Sequence, residues 1–355
     1  MRVSTDFCGG NAQILNVEDN KVSFLPDLRD TDGDWFYWAI KVIGAAGKTV
    51  SFDMSPKNYV GPFGAAVSHD LYHWEWTGSK IGNGSGFSYT FADDEECVYF
   101  AHDMLYHPSR FYRFCELHRL PVRIIADDNK GTPIPCLKLG EGDKTVILTA
   151  RHHCCEATGD YIMEGILDEF VHNPIPNIKI IALPFIDADG VVAGDQGKNR
   201  RPHDHNRDYI EKPLYAGVRA VQELVKREQP IAVFDLHSPW HTGGRNDKVF
   251  FVRGVPEMRE RMVELANCFA GRITPDAMQY DIVNDIDPGV EWNNIGKHIT
   301  CGSWASDIEG NIFGFSLETT YFGESGNVVS QPKLIETGRC FIRAFADYLA
   351  AHGVN

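Results

Sequence analysis

The feature that most constrains the fold of this chain is an alternation of short apolar runs with amphipathic segments from about residue 121 onward. Apolar runs of this length are typical of strands covered on both faces, and a 3.6-residue apolar period is typical of the helices that cover them. The alternation predicts an α/β/α sandwich around a mostly parallel or mixed sheet. The predicted strands are 144–150 (KTVILTA), 178–185 (IKIIALPF), 231–236 (IAVFDL), 248–252 and 313–317. The predicted helices are 160–172, 213–228, 256–270 and 334–351.

The first third of the chain has a different pattern, in which short β-rich runs are separated by Gly, Asn, Asp and Pro. This spacing predicts an antiparallel β-sandwich, and the many aromatic residues of the segment are expected to fill its core. The fold class is therefore α/β, with a β-sandwich domain at 1–120 followed by an α/β/α domain with a mixed sheet at 121–355. The β-rich runs are 35–38, 48–52, 89–91 and 97–100.

Composition excludes some classes of function. The formal net charge of −15 argues against nucleic acid or an anionic membrane as the main partner. The nine cysteines are scattered and form no CxxC, which favours a reducing compartment. The start of the chain has no signal-peptide pattern, and no apolar run reaches the roughly 18 residues that a bilayer requires. We therefore expect a cytoplasmic location.

A cluster of side chains that can bind metal follows the strand KTVILTA. The sequence HHCCE occupies 152–156, at the C-terminal end of that strand, where the sites of α/β sheets form. His153 and Glu156 have H-x-x-E spacing, which can place an imidazole and a carboxylate on one side of a turn as two zinc ligands. His152 and Cys155 share that spacing, but a cysteine-rich zinc site would need two further thiols, and no CxxC supplies them. H-x-x-E alone is a weak signal.

Two further strand ends carry polar residues. His237 ends the strand IAVFDL, which makes it a natural third ligand, although a strand-end histidine can also simply bond to the backbone. His241 is a rival in a glycine-rich loop. Glu318 follows the apolar strand FGFSL, where it is either a capping carboxylate or a general base beside the metal.

A long polar loop, residues 187–209, concentrates basic side chains in an otherwise acidic chain. The pair Asn206–Arg207 offers an amide and a guanidinium fork, which are the groups suited to a carboxylate. Lys198 and Arg200 are further cations of the loop, and we interpret Arg201 as part of a solvated turn.

The order His153, Glu156, His237 and Glu318, with a basic loop between the second and the third, resembles the zinc carboxypeptidase family. DADG before the basic loop resembles the family's NPDG turn, with Asp187 and Ala188 in place of Asn and Pro. The N-terminal third is similar to the β-sandwich that precedes the catalytic domain in cytosolic carboxypeptidases and their bacterial relatives. The segment YTFADDEECVYFAHDMLY resembles the junction of that subset, so the likeness covers most of the chain.

The resemblance implies a role for each of these residues. His153, Glu156 and His237 would bind one Zn²⁺ per chain and leave a fourth position for water. Glu318 would deprotonate that water and later protonate the leaving amine. Asn206 and Arg207 would hold the terminal carboxylate of a peptide or peptide-like substrate. The implied activity is release of a C-terminal residue by metal-assisted hydrolysis of a peptide or isopeptide bond.

The sequence departs from the family in its other polar groups. The arginine that polarises the scissile carbonyl has no unambiguous match, and Lys198 and Arg200 both lie near its expected position. The substrate-capping tyrosine ahead of Glu318 has no match either, because segment 286–310 contains no tyrosine. Asp307 or Glu309 would favour basic substrates if they lined the substrate pocket, and we interpret both as surface charges.

Three other interpretations of the motifs stay open. A zinc amidase or deacylase acting on a small acyl-amino acid or a cell-wall peptide would share H-x-x-E and the later histidine. A binding module with an inactive α/β domain would be favoured if Glu318 or a ligand were missing, and none is. A nucleophilic Cys154 or Cys155 would need a base and an oxyanion hole that the sequence does not show.

Overall fold

A computed structural model describes residues 1–78, 80–293 and 299–354 of the chain. Its strands are β1 (Arg2–Ser4), β2 (Gln13–Val17), β3 (Lys21–Leu25), β4 (Ala39–Ile43), β5 (Thr49–Asp53), β6 (Ala66–Ser68), β7 (Glu75–Trp76), β8 (Gly86–Thr90), β9 (Cys97–Ala101), β10 (Val122–Asp127), β11 (Pro133–Leu139), β12 (Lys144–Ala150), β13 (Ile178–Leu183), β14 (Ala232–His237), β15 (Val249–Val252), β16 (Phe313–Thr319), β17 (Gly323–Glu324) and β18 (Asn327–Val328). Its α-helices are α1 (Pro108–Leu117), α2 (Thr158–His172), α3 (Ala188–Ala193), α4 (Ala216–Glu228), α5 (Arg259–Arg272), α6 (Cys301–Ser306) and α7 (Gln331–Ala351). Short 3₁₀ helices span His205–Arg207, Gly244–Asp247, Pro256–Met258 and Ile282–Asn284.

The first nine strands form two facing sheets, in the orders β1-β4-β9-β6-β7 and β2-β3-β5-β8. Side chains that alternate inward along β3, β4 and β5 meet between them, which is the packing of a β-sandwich. The predicted sandwich is therefore confirmed, with one difference. Strands β3 and β5 pair in parallel, whereas the other pairs described in these sheets are antiparallel.

The aromatic run at 35–38, predicted as a strand, is instead irregular backbone ahead of β4. At Tyr37, the backbone hydrogen bonds go to a side chain and not to a neighbouring strand. Gln196 accepts from the backbone N–H of Tyr37 through Oε1 (3.0 Å) and donates to the Tyr37 carbonyl through Nε2 (2.8 Å). This amide satisfies both polar groups of Tyr37, as a paired strand would otherwise do.

The second part of the chain is built on a seven-stranded sheet in the order β10-β11-β13-β12-β14-β16-β15. The central strands β13, β12, β14 and β16 are parallel, and antiparallel strands lie at both edges. The predicted mixed sheet is confirmed, and each predicted strand and helix of this part is present within a few residues. Strands β10 and β11 are additional elements that the sequence pattern did not predict.

Alternate residues of the parallel strands face two different helical layers. In β12, Val146 and Leu148 belong to the core under α2, α5 and α7, whereas Ile147 belongs to the core under α4 and α6. The sheet is therefore covered on both faces, which explains why its strands read as continuous apolar runs. Helix α1 also packs into the core of this sheet, and the domain boundary near residue 120 stays a prediction.

Among residues 1–78, 80–293 and 299–354, no helix has both the length and the apolar character required to cross a bilayer.

Helices α2 and α7 approach closely through glycines. A Cβ built on Gly165 would lie 1.9 Å from the carbonyl oxygen of Ile335, and one on Gly338 would lie 2.1 Å from that of Ile162. These contacts leave no room for a side chain. Because α2 begins directly after the candidate metal-binding turn, this packing also fixes where that turn lies.

We predict that Gly165→Ala lowers the free energy of unfolding by about 1–3 kcal/mol, because the new methyl group overpacks the α2–α7 contact. The matched control is Gly271→Ala in α5, where a built Cβ meets no atom of residues 1–78, 80–293 or 299–354 within 4 Å. There the higher helix propensity of alanine should leave stability equal or slightly higher. Chemical denaturation followed by circular dichroism measures both. Equal stability of the two variants would contradict the proposed close packing.

Candidate metal centre

The candidate site lies at the C-terminal edge of the parallel strands. The chain leaves β12 at Arg151, whose φ of 60° is in the left-handed region. The buried Arg151 side chain donates to the carbonyl oxygens of Cys154 and Tyr106 and pairs with Asp160 on α2. These bonds hold the turn that carries His153 and Glu156 against the start of the helix.

The carboxylate of Glu156 lies at the centre of the site. Its Oε1 is 2.9 Å from Nδ1 of His153, and its Oε2 is 2.6 Å from Nδ1 of His237. The backbone N–H of Ser238 donates to Oε2 at 3.1 Å. The structure therefore brings together the three predicted ligands, two from one turn and one from the end of β14.

Each of the two histidines has a carboxylate at its other nitrogen. Nε2 of His153 is 3.5 Å from Asp204 Oδ1, and Nε2 of His237 is 2.6 Å from Asp235 Oδ2. Such partners fix the tautomer and leave Nδ1 free to bind a metal. Sequence reasoning missed both aspartates. The spacing of Asp235 and His237 was the available signal, because residues two apart in a strand share a face.

Two rival histidines do not line the cavity. His152 is fully buried, with Nδ1 2.7 Å from Asp235 Oδ1 and Nε2 2.7 Å from the Tyr209 hydroxyl. His241 is buried against Phe36, with a ring-centroid separation of 5.2 Å, and is not among the side chains that line the cavity.

A buried cation completes the cluster. The ammonium of Lys198 lies 2.6 Å from Glu156 Oε1. Burial alone would raise the pKa of Glu156, but Lys198, His153 and His237 hold it well below its usual value. Burial would likewise lower the pKa of Lys198, whereas the charge of Glu156 raises it. The site therefore keeps an ionised carboxylate beside a charged lysine.

Glu318 lies on β16 directly opposite His237 in the strand register. It is 6% exposed, and its Oε2 has no hydrogen-bond partner within the described part of the chain. Burial raises the pKa of Glu318 to about 7, and Glu156 adds to the effect, while His237 and Lys198 oppose it. An unpaired carboxyl facing a cavity is available to exchange a proton with a bound molecule.

These groups line a cavity of about 380 Å³. Arg207 is exposed at this cavity, and its Nη1 donates to the carbonyl of Asn206 at 3.0 Å. Asn206 is buried, with its Oδ1 accepting from the N–H of Cys301 (2.9 Å) and its Nδ2 3.1 Å from His237 Nε2. The lining side chains also include Trp35, Asn199, Asp204, Ser238, Pro239, Trp240, Asn246, Val252, Trp292, Asn293, Ile299, Thr300, Ser303 and Ser316.

The structure separates the two candidate cations of the basic loop. Lys198 lines the cavity, whereas Arg200 lies outside it and binds three aspartates. Its nitrogens are 3.0 Å from Asp30, 2.6 Å from Asp187 and 3.1 Å from Asp195. Arg200 therefore ties the loop to the N-terminal segment and does not face the site.

The remaining candidates also lie away from the cavity lining. Arg201 is exposed and pairs with Asp32, as expected of a solvated turn. Asp307 and Glu309 are exposed and do not line the cavity.

The two adjacent cysteines are unsuited to nucleophilic catalysis. Both are buried, and burial raises the pKa of Cys155 to about 12 and that of Cys154 well above its usual value. A thiol in such surroundings is not the thiolate that nucleophilic attack requires.

The donor set of His153, Glu156 and His237 fits Zn²⁺. One ligand atom from each lies within 4.8 Å of the others, and His₂Glu plus an open position is a catalytic zinc arrangement. Within the described ranges, three other groups meet the same distance criterion. In one of them, His152 and His237 both lie against the carboxylate of Asp235. The others are the Arg200-linked group of Asp128, Asp187 and His205, and a surface group of His118, Asp168 and His172.

Comparison with known proteins identifies solved structures of the same fold. A metallo-carboxypeptidase from Burkholderia cenocepacia superposes with a TM-score of 0.82 at 14% identity, over 99% of both chains. One from Pseudomonas aeruginosa, in complex with (2-guanidinoethylmercapto)succinic acid, gives 0.79 at 18% identity over 99% of both. No protein-family model matches the chain.

Sequence comparison gives two kinds of relative. An uncharacterized protein of Zymomonas mobilis is 21% identical over 312 residues, 81% of each chain. Cytosolic carboxypeptidase 2 of Xenopus tropicalis is 24% identical over 241 residues. That match covers 60% of this chain but only 23% of the frog protein.

The fold of this chain is that of the metallo-carboxypeptidases, a class of hydrolases. Within the class, the named sequence relatives of this chain are cytosolic carboxypeptidases. Both findings agree with the family resemblance inferred from the motifs.

We predict that the chain binds one equivalent of zinc and that His153→Ala abolishes this binding, because it removes one of three ligands. Asp235→Asn should weaken binding roughly 10- to 100-fold, since it alters the support of His237. The control His172→Ala, in the surface group, should retain the full equivalent. Equilibrium dialysis with elemental analysis measures all three. Loss of zinc in His172→Ala and not in His153→Ala would place the ion elsewhere.

Proposed function

We propose that this protein is a zinc metallocarboxypeptidase that releases the C-terminal residue of a peptide or peptide-like substrate. The observation that carries the proposal is the convergence of His153, Glu156 and His237 on one cavity that Glu318 and Arg207 also face. A ligand set, a base and a carboxylate-binding cation in one space are the parts that exopeptidase hydrolysis needs.

The chemistry divides between the ion and the chain. Zinc, when bound, supplies Lewis acidity and lowers the pKa of water towards about 7. Glu318 accepts the proton of the attacking water, since its Oε2 has no hydrogen-bond partner among the described residues, and returns it to the leaving amine. Asp204 and Asp235 keep the ligand histidines oriented.

Lys198 is the cation that we propose polarises the scissile carbonyl and stabilises the oxyanion. It is buried in the wall of the cavity and close to Glu156, whereas Arg200 is bound to three aspartates outside it. A buried positive charge stabilises developing negative charge more strongly than an exposed one.

Asn206 and Arg207 are proposed to bind the terminal carboxylate. The side-chain oxygen of Asn206 accepts a hydrogen bond from the N–H of Cys301, and the guanidinium of Arg207 is exposed at the cavity. A guanidinium can bind a carboxylate through two parallel hydrogen bonds. This pair favours a carboxypeptidase over an amidase that acts on substrates without a free carboxylate.

We predict that Glu318→Gln lowers kcat about 10²- to 10⁴-fold while zinc remains bound, because the amide cannot accept the proton of water. Glu309→Gln, an exposed carboxylate outside the cavity, is the matched control and should behave as the parent. The prediction is tested by steady-state hydrolysis of peptides with a free C-terminus and by metal analysis of the same samples. Full activity in Glu318→Gln would exclude it as the base.

We predict that Arg207→Ala lowers kcat/KM for peptides with a free C-terminus about 10- to 100-fold, the loss of a charge-assisted contact. For peptides with an amidated C-terminus, which have no terminal carboxylate, Arg207→Ala should leave kcat/KM unchanged. Arg201→Ala is the control, because that arginine is exposed in the same loop and pairs with Asp32. If Arg207→Ala left cleavage of free peptides unaffected, the amidase alternative would be favoured.

A further inference from the structure

The N-terminal segment contributes an aromatic wall to the candidate active site. Trp35 lies ahead of the sandwich strand β4 and lines the same cavity as Glu156 and Glu318. The ammonium of Lys198 lies 5.0 Å from the ring centroid of Trp35 and 5.9 Å from that of Phe36. A cation within about 6 Å of an aromatic ring centroid is attracted by the electron-rich face of the ring.

A metal bound at this site would weaken the main contact of the Lys198 ammonium. Among the described residues, its polar contacts are Glu156 Oε1 at 2.6 Å and the carbonyl of Ser238 at 3.5 Å. Glu156 is also a candidate metal ligand, so an ion there competes for the charge that now holds the ammonium. Lysine has a flexible stem and a compact charge, and it lacks the planar fork that fixes an arginine. The rings of Trp35 and Phe36 are contacts that a metal does not remove.

The two segments that carry this contact are fastened to each other. Gln196, two residues before Lys198, exchanges two hydrogen bonds with the backbone of Tyr37, two residues after Trp35. The carboxylate of Asp30 accepts from the N–H groups of Gln196 and Gly197, both at 2.9 Å. The distance between Trp35 and Lys198 is therefore set by a hydrogen-bonded frame and not by side-chain packing alone.

The ring of Trp35 is itself supported from the catalytic part. Its centroid lies 4.9 Å from that of Trp240, which follows β14 and also lines the cavity. Trp240 in turn meets Phe36 edge-on at 5.1 Å. Because the Trp35 ring contacts both Trp240 and Phe36, it has little freedom to move away from the Lys198 ammonium.

We propose that Trp35 is a positioning residue, which holds the ammonium of Lys198 at the reaction centre and so makes the N-terminal segment part of the catalytic machinery. The catalytic consequence rests on the proposed carboxypeptidase function. The contact itself does not, and the test separates the two.

The variants are Trp35→Leu, which removes the aromatic face, and Trp35→Phe, which keeps one. The matched control is Trp76→Leu. Trp76 also joins the N-terminal part to the second part, through a hydrogen bond to the Val329 carbonyl (2.8 Å) and a ring contact with Phe322 (5.4 Å). It is not among the residues that line the cavity.

The first measurement is independent of activity. In protein labelled with ¹³C at lysine Cε, the Lys198 signal, assigned by its loss in Lys198→Arg, should be shifted upfield by the ring. We expect Trp35→Leu to move it towards the position of exposed lysines, and Trp35→Phe and Trp76→Leu to leave it upfield. A Lys198 signal that is unshifted in the parent, or insensitive to Trp35→Leu, overturns the contact.

The second measurement is steady-state kinetics of the zinc-loaded protein with a C-terminal peptide. Trp35→Leu should lower kcat roughly 3- to 30-fold with little change in KM, the range expected for loss of a cation–π contact. Trp35→Phe should restore most of kcat, and the effect of Trp35→Leu should vanish in a Lys198→Met background. An equal fall of kcat in Trp76→Leu would overturn the positioning role. Additive losses of kcat in the double variant Trp35→Leu, Lys198→Met would overturn it as well. If the parent hydrolyses no peptide, the proposed function fails while the lysine spectrum still decides the contact.

Discussion

The organisation of the site depends on one buried carboxylate. Glu156 accepts the N–H of Ser238 and lies against His153, His237 and Lys198, so a single anion draws together a turn, a strand end and a distant loop. A buried charge of this kind is tolerated only when it is fully paired. The neighbouring imidazoles and ammonium supply that pairing. A bound cation would take over the same role with the same ligands, which is why the arrangement suits a metal centre.

Support for this carboxylate comes from outside the ligands. Arg151 ties the turn to α2, Asp235 orients His237, and glycines allow α2 to pack directly on α7. The N-terminal part adds a further contribution, because its irregular segment 30–37 is hydrogen-bonded to the loop that carries Lys198. The N-terminal part is therefore in direct contact with the loop that carries Lys198, and its Trp35 forms part of one wall of the cavity.

Much of this could be predicted from sequence, and the exceptions have physical causes. Buried parallel strands give continuous apolar runs, so the central sheet and the strand-end positions of His237 and Glu318 were accessible to pattern analysis. The outlying strands β10 and β11 were not, since β10 is largely exposed and β11 contains two prolines. The segment 35–38 has strand-like composition, but Gln196 satisfies the backbone of Tyr37 from 159 residues away. Choosing Lys198 over Arg200 likewise required knowing where Asp30, Asp187 and Asp195 lie.

X-ray absorption at the zinc edge of the loaded protein tests the central claim most directly, because the turn that carries His153 and Glu156 also carries Cys154 and Cys155. The account predicts only nitrogen and oxygen neighbours at about 2.0–2.2 Å, with the multiple-scattering pattern of two imidazoles. A sulfur neighbour at about 2.3 Å would contradict it, since a thiolate ligand would mean that the ion binds the cysteines of the turn and not the His₂Glu set.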